Sequence, residues 1–286
     1  MSRPTVRDLL LVLVVVSGAL GAFASRAVAA AADAPAALRL YALDCGSIEF
    51  HDLSPFSDTG EYDGKSGSIA VPCFLIRHPK GTLLWDTGLD PAAAPSPDNA
   101  PVRMRAGVPL TQQLARIGVR PADVTLVAFS HLHGDHTGGA NAFGGATWIL
   151  NRTELAWALG KPAPFAVQPA TFSAYKTAHT RIIDSDLDVF GDGTVRILQT
   201  PGHTPGHQVL MLRLRTAGVV LLSGDLYHLR SDRAQRLLTI FNTNRAETLA
   251  SFDRFERIAR RTHARVIIQH DPQDFAALPR YPAFLE

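Results

Sequence analysis

The chain has 286 residues, 46% hydrophobic and 19% charged, with a formal net charge of +2. That balance excludes a disordered or fibrous polypeptide. Residues 1–29 set Arg3, Arg7 and Arg26 against Asp8, which accounts for the net charge and leaves the remainder near neutrality, with no basic tract for nucleic acid or a membrane surface.

The first segment reads as a secretory signal peptide. Arg3 and Arg7 precede the apolar run Leu9 to Val16, and Ala27-Val28-Ala29 is a small-residue cleavage site. The run is shorter than the roughly 20 apolar residues that span a bilayer, so no stable membrane anchor is expected after cleavage. The expectation is a leader over 1–29, one domain over 30–286, and a secreted or periplasmic protein. Cys45 and Cys73 belong to no CxxC pair. Export permits a disulfide between them, but the simpler expectation is two buried free thiols.

The remaining elements alternate between strands and helices. Strands are predicted over 38–45, over 69–78 (bent or at an edge because of Pro72) and over 82–88. The segment 54–68 is polar and Gly-rich and reads as mobile. Residues 89–110 carry five prolines and read as a long surface loop. A short helix over 111–117 leads to a buried strand over 124–129. A strand over 146–150 runs into a helix over 151–159, with Asn151 and Glu154 in capping-box spacing. Strands follow over 194–200, 207–215 and 219–225. Asn244 and Glu247 cap a helix whose Leu249, Phe252, Phe255 and Ile258 make one apolar stripe, and a strand over 265–271 follows it.

The endings of these strands carry the chemistry. Residues 130–139 read SHLHGDHTGG, with three histidines and an aspartate inside six positions. Burying such groups without partners costs about 2–7 kcal/mol apiece, so a divalent metal is the expected partner. Three other predicted strands run into His203, Asp225 and His270. Ligands gather at the carboxyl ends of strands in open α/β sheets, so one shared site is expected.

His131-x-His133-x-Asp135-His136, followed by His203, Asp225 and His270, resembles the dinuclear site of the metallo-β-lactamase fold superfamily, and Trp85-Asp86-Thr87-Gly88 resembles its entry strand. The resemblance covers nearly all of 30–286. It implies an α/β, four-layer αββα sandwich of two facing mixed sheets with outer helices; the alternation alone would also allow a doubly wound sheet. It implies two Zn2+, with other divalent transition metals also compatible. His131, His133 and His203 would hold the first metal, and Asp135, His136 and His270 the second. Asp225 would bridge both. Asp86 would accept a hydrogen bond from a ligating histidine, and His207, since His203 already fills the match, would support the ligands from outside or be structural rather than bind metal. Gly134 would keep side chains from crowding the metals, and Gly138 and Gly139 would permit an unusual turn.

Within that superfamily, TPGHTPGHQ (200–208), VPCFLIRHPKGTLLWDTGL (71–89) and HDP (270–272) look like the N-acyl homoserine lactone lactonases. The implied reaction opens a lactone ring by attack of a metal-bridging hydroxide on the carbonyl, with Asp135 among the catalytic residues. One departure stands out. Those lactonases carry a tyrosine three residues after the bridging aspartate; here that position is His228, and Tyr227 sits one earlier. Either side chain could donate to an oxyanion, and Tyr227 could equally point into the core. A glyoxalase II-like thioesterase or another small-ester hydrolase of the same fold is the alternative enzyme, though the ending offers only Arg280 as a basic group. An exported zinc-binding protein is the non-enzyme alternative. The expected partner is a small-molecule lactone or ester, and the sequence leaves the oligomeric state open. Phe56, Met104 and Phe165 are candidate apolar contacts for an acyl chain, read first as loop packing.

Overall fold

Side-chain alternation along the strands decides the layering. The computed structural model describes residues 37–286, so the expected leader and its boundary lie outside the described residues. Twelve strands among these residues form two mixed sheets. The first comprises β1 (Arg39–Phe50), β2 (Gly67–His78), β3 (Gly81–Trp85), β4 (Val102–Ala106), β5 (Leu126–Ala128), β6 (Thr147–Asn151) and β7 (His179–Ile183), in the order β4-β1-β2-β3-β5-β6-β7. The second comprises β8 (Leu187–Asp188), β9 (Val195–Gln199), β10 (Gln208–Leu214), β11 (Gly218–Leu222) and β12 (Arg265–Ile267), in the order β12-β11-β10-β9-β8. The helices are α1 (Leu110–Ala115), α2 (Gly134–Thr137), α3 (Arg152–Ala158), α4 (Arg230–Gln235), α5 (Arg245–Thr262) and α6 (Pro272–Ala276).

Three apolar layers follow from the period of two along each strand. On β2, Phe74 and Ile76 face the second sheet, where they join Ile197, Leu210, Leu212 and Leu222. Cys73 and Leu75 face the other way, into a cluster with Leu110 and Leu114 of α1 and Ala158 of α3. On β10, Val209 and Met211 turn outward to Phe252 and Phe255 of α5. The result is the four-layer sandwich: helices, sheet, sheet, helices. Among the described residues no helix is long and apolar enough to cross a membrane.

Four expectations need correction. β2 is central, between β1 and β3, rather than at an edge. Pro72 is tolerated because its register partner is Asp44, where the β1 ladder shifts between Asp44 and Ser47; an interrupted ladder loses little from a missing N–H. Residues 89–110 are not all loop, since β4 pairs with β1 as an exposed edge. The segment 54–68 is packed down: Phe56 and Tyr62 are buried, and the Tyr62 hydroxyl donates to Asp232. Cys45 and Cys73 are joined in a disulfide, not free. They lie on paired strands with Cα atoms 5.8 Å apart, a separation that a disulfide spans.

Candidate metal centre

The first sheet contributes one block of ligands. β5 is a short buried strand, and past its end the chain presents His131 and His133, then enters α2 with Asp135 and His136. The second sheet contributes the rest: His203 after β9, Asp225 after β11 and His270 after β12. All seven come together at one edge of the sandwich in two adjoining groups. Ligand atoms of His131, His133, His203 and Asp225 lie within 4.8 Å of one another, as do those of Asp135, His136 and His270.

Asp225 joins the groups. Its Oδ1 is 3.0 Å from His270 Nε2 and 3.1 Å from His136 Nε2. Its Oδ2 is 3.4 Å from His203 Nε2 and 3.7 Å from His131 Nε2. One carboxylate therefore offers an oxygen to each group.

Outer partners fix the imidazoles. His203 Nδ1–H donates to Asn242 Oδ1 at 2.9 Å, and His270 Nδ1–H donates to the Ala70 carbonyl at 2.6 Å. His136 Nδ1 lies 3.1 Å from Asp86 Oδ2. Each of these contacts turns the Nε2 of its ring inward, toward the shared centre. Asp86 is completely buried at a φ of 58°, and its other oxygen accepts the Ser130 N–H at 2.7 Å. Gln269 completes this floor, donating to Asp86 Oδ2 at 2.9 Å while its Oε1 accepts from Trp85 Nε1 and the Gly224 N–H. His207 is structural: its Nε2 accepts the Asp225 N–H at 2.9 Å.

The donor set fits a pair of cations. His131 Nε2 and Asp225 Oδ1 are buried without a hydrogen-bond partner, a costly arrangement unless something else satisfies them. His136 Nε2 and His270 Nε2 face each other at 3.1 Å, and His203 Nε2 and His133 Nδ1 at 3.3 Å. Burial pushes His131 and His203 well below the usual imidazole range and His133 down to about 4, so their lone pairs are free at neutral pH. Burial also disfavours the Asp225 carboxylate, but the surrounding histidines, His270 and His136 foremost, hold its pKa well below the usual range. Imidazole and carboxylate together suit zinc and similar borderline ions.

The two candidate oxyanion donors part company. Tyr227 is 1% exposed, stacked on Phe252 at 4.4 Å between ring centroids, with its hydroxyl 3.3 Å from Glu256 Oε1. It belongs to the core beneath α5, which corrects the expectation that it could serve the reaction. His228 points into the centre, with Nε2 3.1 Å from Asp225 Oδ2 and its ring edge-on to Phe56 and Phe241. Gly138 is also corrected. Its φ is −54°, so no unusual turn is needed; a Cβ there would lie 2.0 Å from Asp90 N. Gly134 clears Gln168 rather than the metal positions.

A cavity of about 850 Å3 opens onto His133, Asp135, Asp225 and His228. Its walls are mainly apolar and include Phe56, Leu89, Met104, Phe165 and Phe241. Phe56, Met104 and Phe165, the candidate acyl-chain contacts, therefore line the same cavity, Met104 from β4 rather than from a loop. No motif marks Phe241, Asn242 or Gln269 in the sequence.

Residues 67–270 match the model of the metallo-beta-lactamase superfamily. The chain is 32% identical over 269 residues to the N-acyl homoserine lactonase AttM of Azorhizobium caulinodans, covering 87% of this chain and 99% of that protein. It is 28% identical over 232 residues to the N-acyl homoserine lactonase AiiA of Bacillus thuringiensis subsp. kurstaki, covering 78% of this chain and 89% of that one. A crystal structure of a quorum-quenching N-acyl homoserine lactone hydrolase superposes with a TM-score of 0.76 at 26% identity, over 87% of this chain and 98% of that one. With the ligand order, the divided carboxylate and the sandwich in agreement, the chain belongs to the metallo-beta-lactamase superfamily.

Proposed function

We propose that this chain is an exported two-zinc hydrolase that opens the lactone ring of N-acyl homoserine lactones. The observation that carries the reading is Asp225, one carboxylate facing two imidazole groups at the floor of an apolar cavity. His131, His133 and His203 would hold one cation and Asp135, His136 and His270 the other, with Asp225 shared. When bound, such a pair supplies Lewis acidity and lowers the pKa of water from about 15.7 toward 7.

The remaining steps fall to the side chains. The apolar wall of Phe56, Met104, Phe165 and Phe241 takes the acyl chain and seats the ring carbonyl beside Asp225. His228 donates its Nε2–H to the oxyanion that forms when water adds to that carbonyl, in the role of a preorganised donor. The carbonyl carbon then breaks its bond to the ring oxygen, which leaves as an alkoxide and is protonated. Asp135 is the more exposed of the two carboxylates at the centre, with 17% of its side chain accessible, and lines the cavity, so its carboxylate is placed to take the proton that the adding water loses and to return it to that ring oxygen. The product is the open N-acyl homoserine.

Two further points support the assignment. The similarity to AttM extends along nearly the whole of that lactonase. The Cys45–Cys73 disulfide suits an oxidising compartment, as export requires.

The test is metal analysis together with hydrolysis rates across homoserine lactones of increasing acyl length, simple lactones, thioesters, phosphotriesters and a β-lactam. The expected result is two equivalents of zinc and fastest opening of the acyl homoserine lactones. Turnover of thioesters without turnover of lactones would overturn the substrate assignment, and stoichiometric metal binding without any turnover would favour storage. N-terminal sequencing of the exported protein is expected to begin at Ala30; an intact Met1 would remove the leader.

A further inference from the structure

We propose that Glu154, which does not line the cavity and belongs to neither metal group, is a positioning residue that sets the spacing between the two ligand-bearing loops. Its Oε1 accepts the Leu132 N–H at 2.9 Å, and Leu132 lies between His131 and His133. Its Oε2 accepts the Gly206 N–H at 2.9 Å, three residues after His203. The loops come from different sheets, after β5 and after β9, and one carboxylate holds both.

The holder is itself held. Glu154 is 2% exposed, and its own N–H donates to Asn151 Oδ1 at 2.9 Å at the start of α3. Asn151 Nδ2 in turn donates to Gln199 Oε1 at the end of β9. The approach is close enough to require glycine at 206. A Cβ there would lie 2.6 Å from Glu154 Cβ and 2.3 Å from Asn151 Oδ1.

Capping α3 does not explain this side chain, because Asn151 supplies the cap. Burying a carboxylate is costly unless its oxygens are fully used. Here each oxygen receives an N–H from a different ligand loop. A glutamine of the same shape can accept only one, and its amide would turn a donor toward the other. Outer groups that orient metal ligands typically change metal affinity or activity by about 10–100-fold when altered.

The inference rests on the two-metal reading, and the experiment separates them. Zinc affinity of wild type, Glu154→Gln, Glu154→Asp and Asn151→Ala is measured by chelator competition, alongside the visible spectrum of the cobalt-loaded proteins and kcat and KM for a lactone. Glu154→Gln is expected to weaken zinc binding about 10–100-fold, shift the cobalt bands and lower kcat more than it raises KM. Asn151→Ala, which loosens the hold on Glu154 but leaves both of its oxygens in place, is expected to lower the melting temperature and to weaken zinc binding less than Glu154→Gln does. If Glu154→Gln does not fold, Glu154→Asp, too short to reach both loops, carries the same expectation. Wild-type zinc affinity and cobalt spectrum in the folded Glu154 variant would overturn the proposal, as would an equal loss of affinity in Asn151→Ala. A wild type that binds two equivalents and opens no lactone overturns the function while leaving the spacing role intact. A wild type that binds no metal overturns both.

Discussion

Gln269 and Asp86 meet beneath the metal centre, the amide of one donating to the carboxylate of the other at 2.9 Å. Both are essentially inaccessible to water, and between them they join His136, Ser130, Trp85 and Gly224. Gln269→Leu removes the acceptor for the Trp85 Nε1–H and the Gly224 N–H and takes a donor from Asp86. Buried groups left unpaired cost about 1–3 kcal/mol each. The metal-free variant should therefore be destabilised by at least about 2 kcal/mol in urea unfolding; a change within error would show that water replaces the amide.

Asp225→Ala tests the shared ligand. Losing it should lower bound metal in both groups and reduce lactone turnover by more than about 100-fold, beyond what an outer partner contributes. Metal analysis and kcat/KM check this together, and normal values for both would sink the shared role.

Tyr227→Phe and His228→Ala should separate cleanly. Tyr227 offers the site nothing, so its variant should keep activity within about twofold and stability within about 1 kcal/mol, the worth of one hydrogen bond. His228→Ala should lower kcat by about 100-fold, as removal of an oxyanion donor does, with metal content unchanged. Equal activities of the two variants would contradict the assignment.

His78 supplies a pH dependence remote from the metals. Its ring stacks on Phe190, and its Nε2 lies 2.9 Å from Asp192. Burial holds its pKa below the ordinary value, outweighing the opposing pull of Asp192. The folded chain thus binds fewer protons here than the unfolded chain, so stability falls as pH drops through the ordinary imidazole pKa of about 6.5. His78→Gln should lose less stability than wild type between about pH 7.5 and about pH 5, a span bracketing that pKa. Parallel unfolding curves at matched metal load would refute it.

Reducing the disulfide, or replacing Cys45 and Cys73 with serine, should destabilise the fold. The cysteines are 28 residues apart, and loop closure of that length is worth about 3–4 kcal/mol in the chain-entropy model. Thermal melts of the oxidised protein and the double variant measure the difference.

The ligand set could be read from sequence because each ligand follows a short apolar strand, and strand ends converge by topology. The outer partners could not. Gln269 and Asn242 acquire their roles only once the second sheet faces the first. The choice between Tyr227 and His228 was hidden for a geometric reason. Asp225 breaks from helical dihedrals at φ −94° and ψ 20°, and Tyr227 is extended at φ −138° and ψ 138°. Around that extended residue the side chains diverge, Tyr227 into the core and His228 into the site, and residue type does not say which goes where. The β4 strand is hard to read because its short apolar–basic alternation, Val102 to Ala106, lies in a proline-rich stretch and four of its five residues are exposed. The cysteine pairing depended on strand register, which the shift in β1 alters locally.

The halves of the centre come from separate sheets, the first built from residues up to Ile183 and the second from Leu187 onward. A cation held by both would fasten the seam between them like a rivet. Resistance to unfolding would then track free zinc in the surroundings, since a ligand that binds only the native state adds RT ln(1 + [L]/Kd) to its stability. In a zinc-starved milieu the seam itself would be the first line to open.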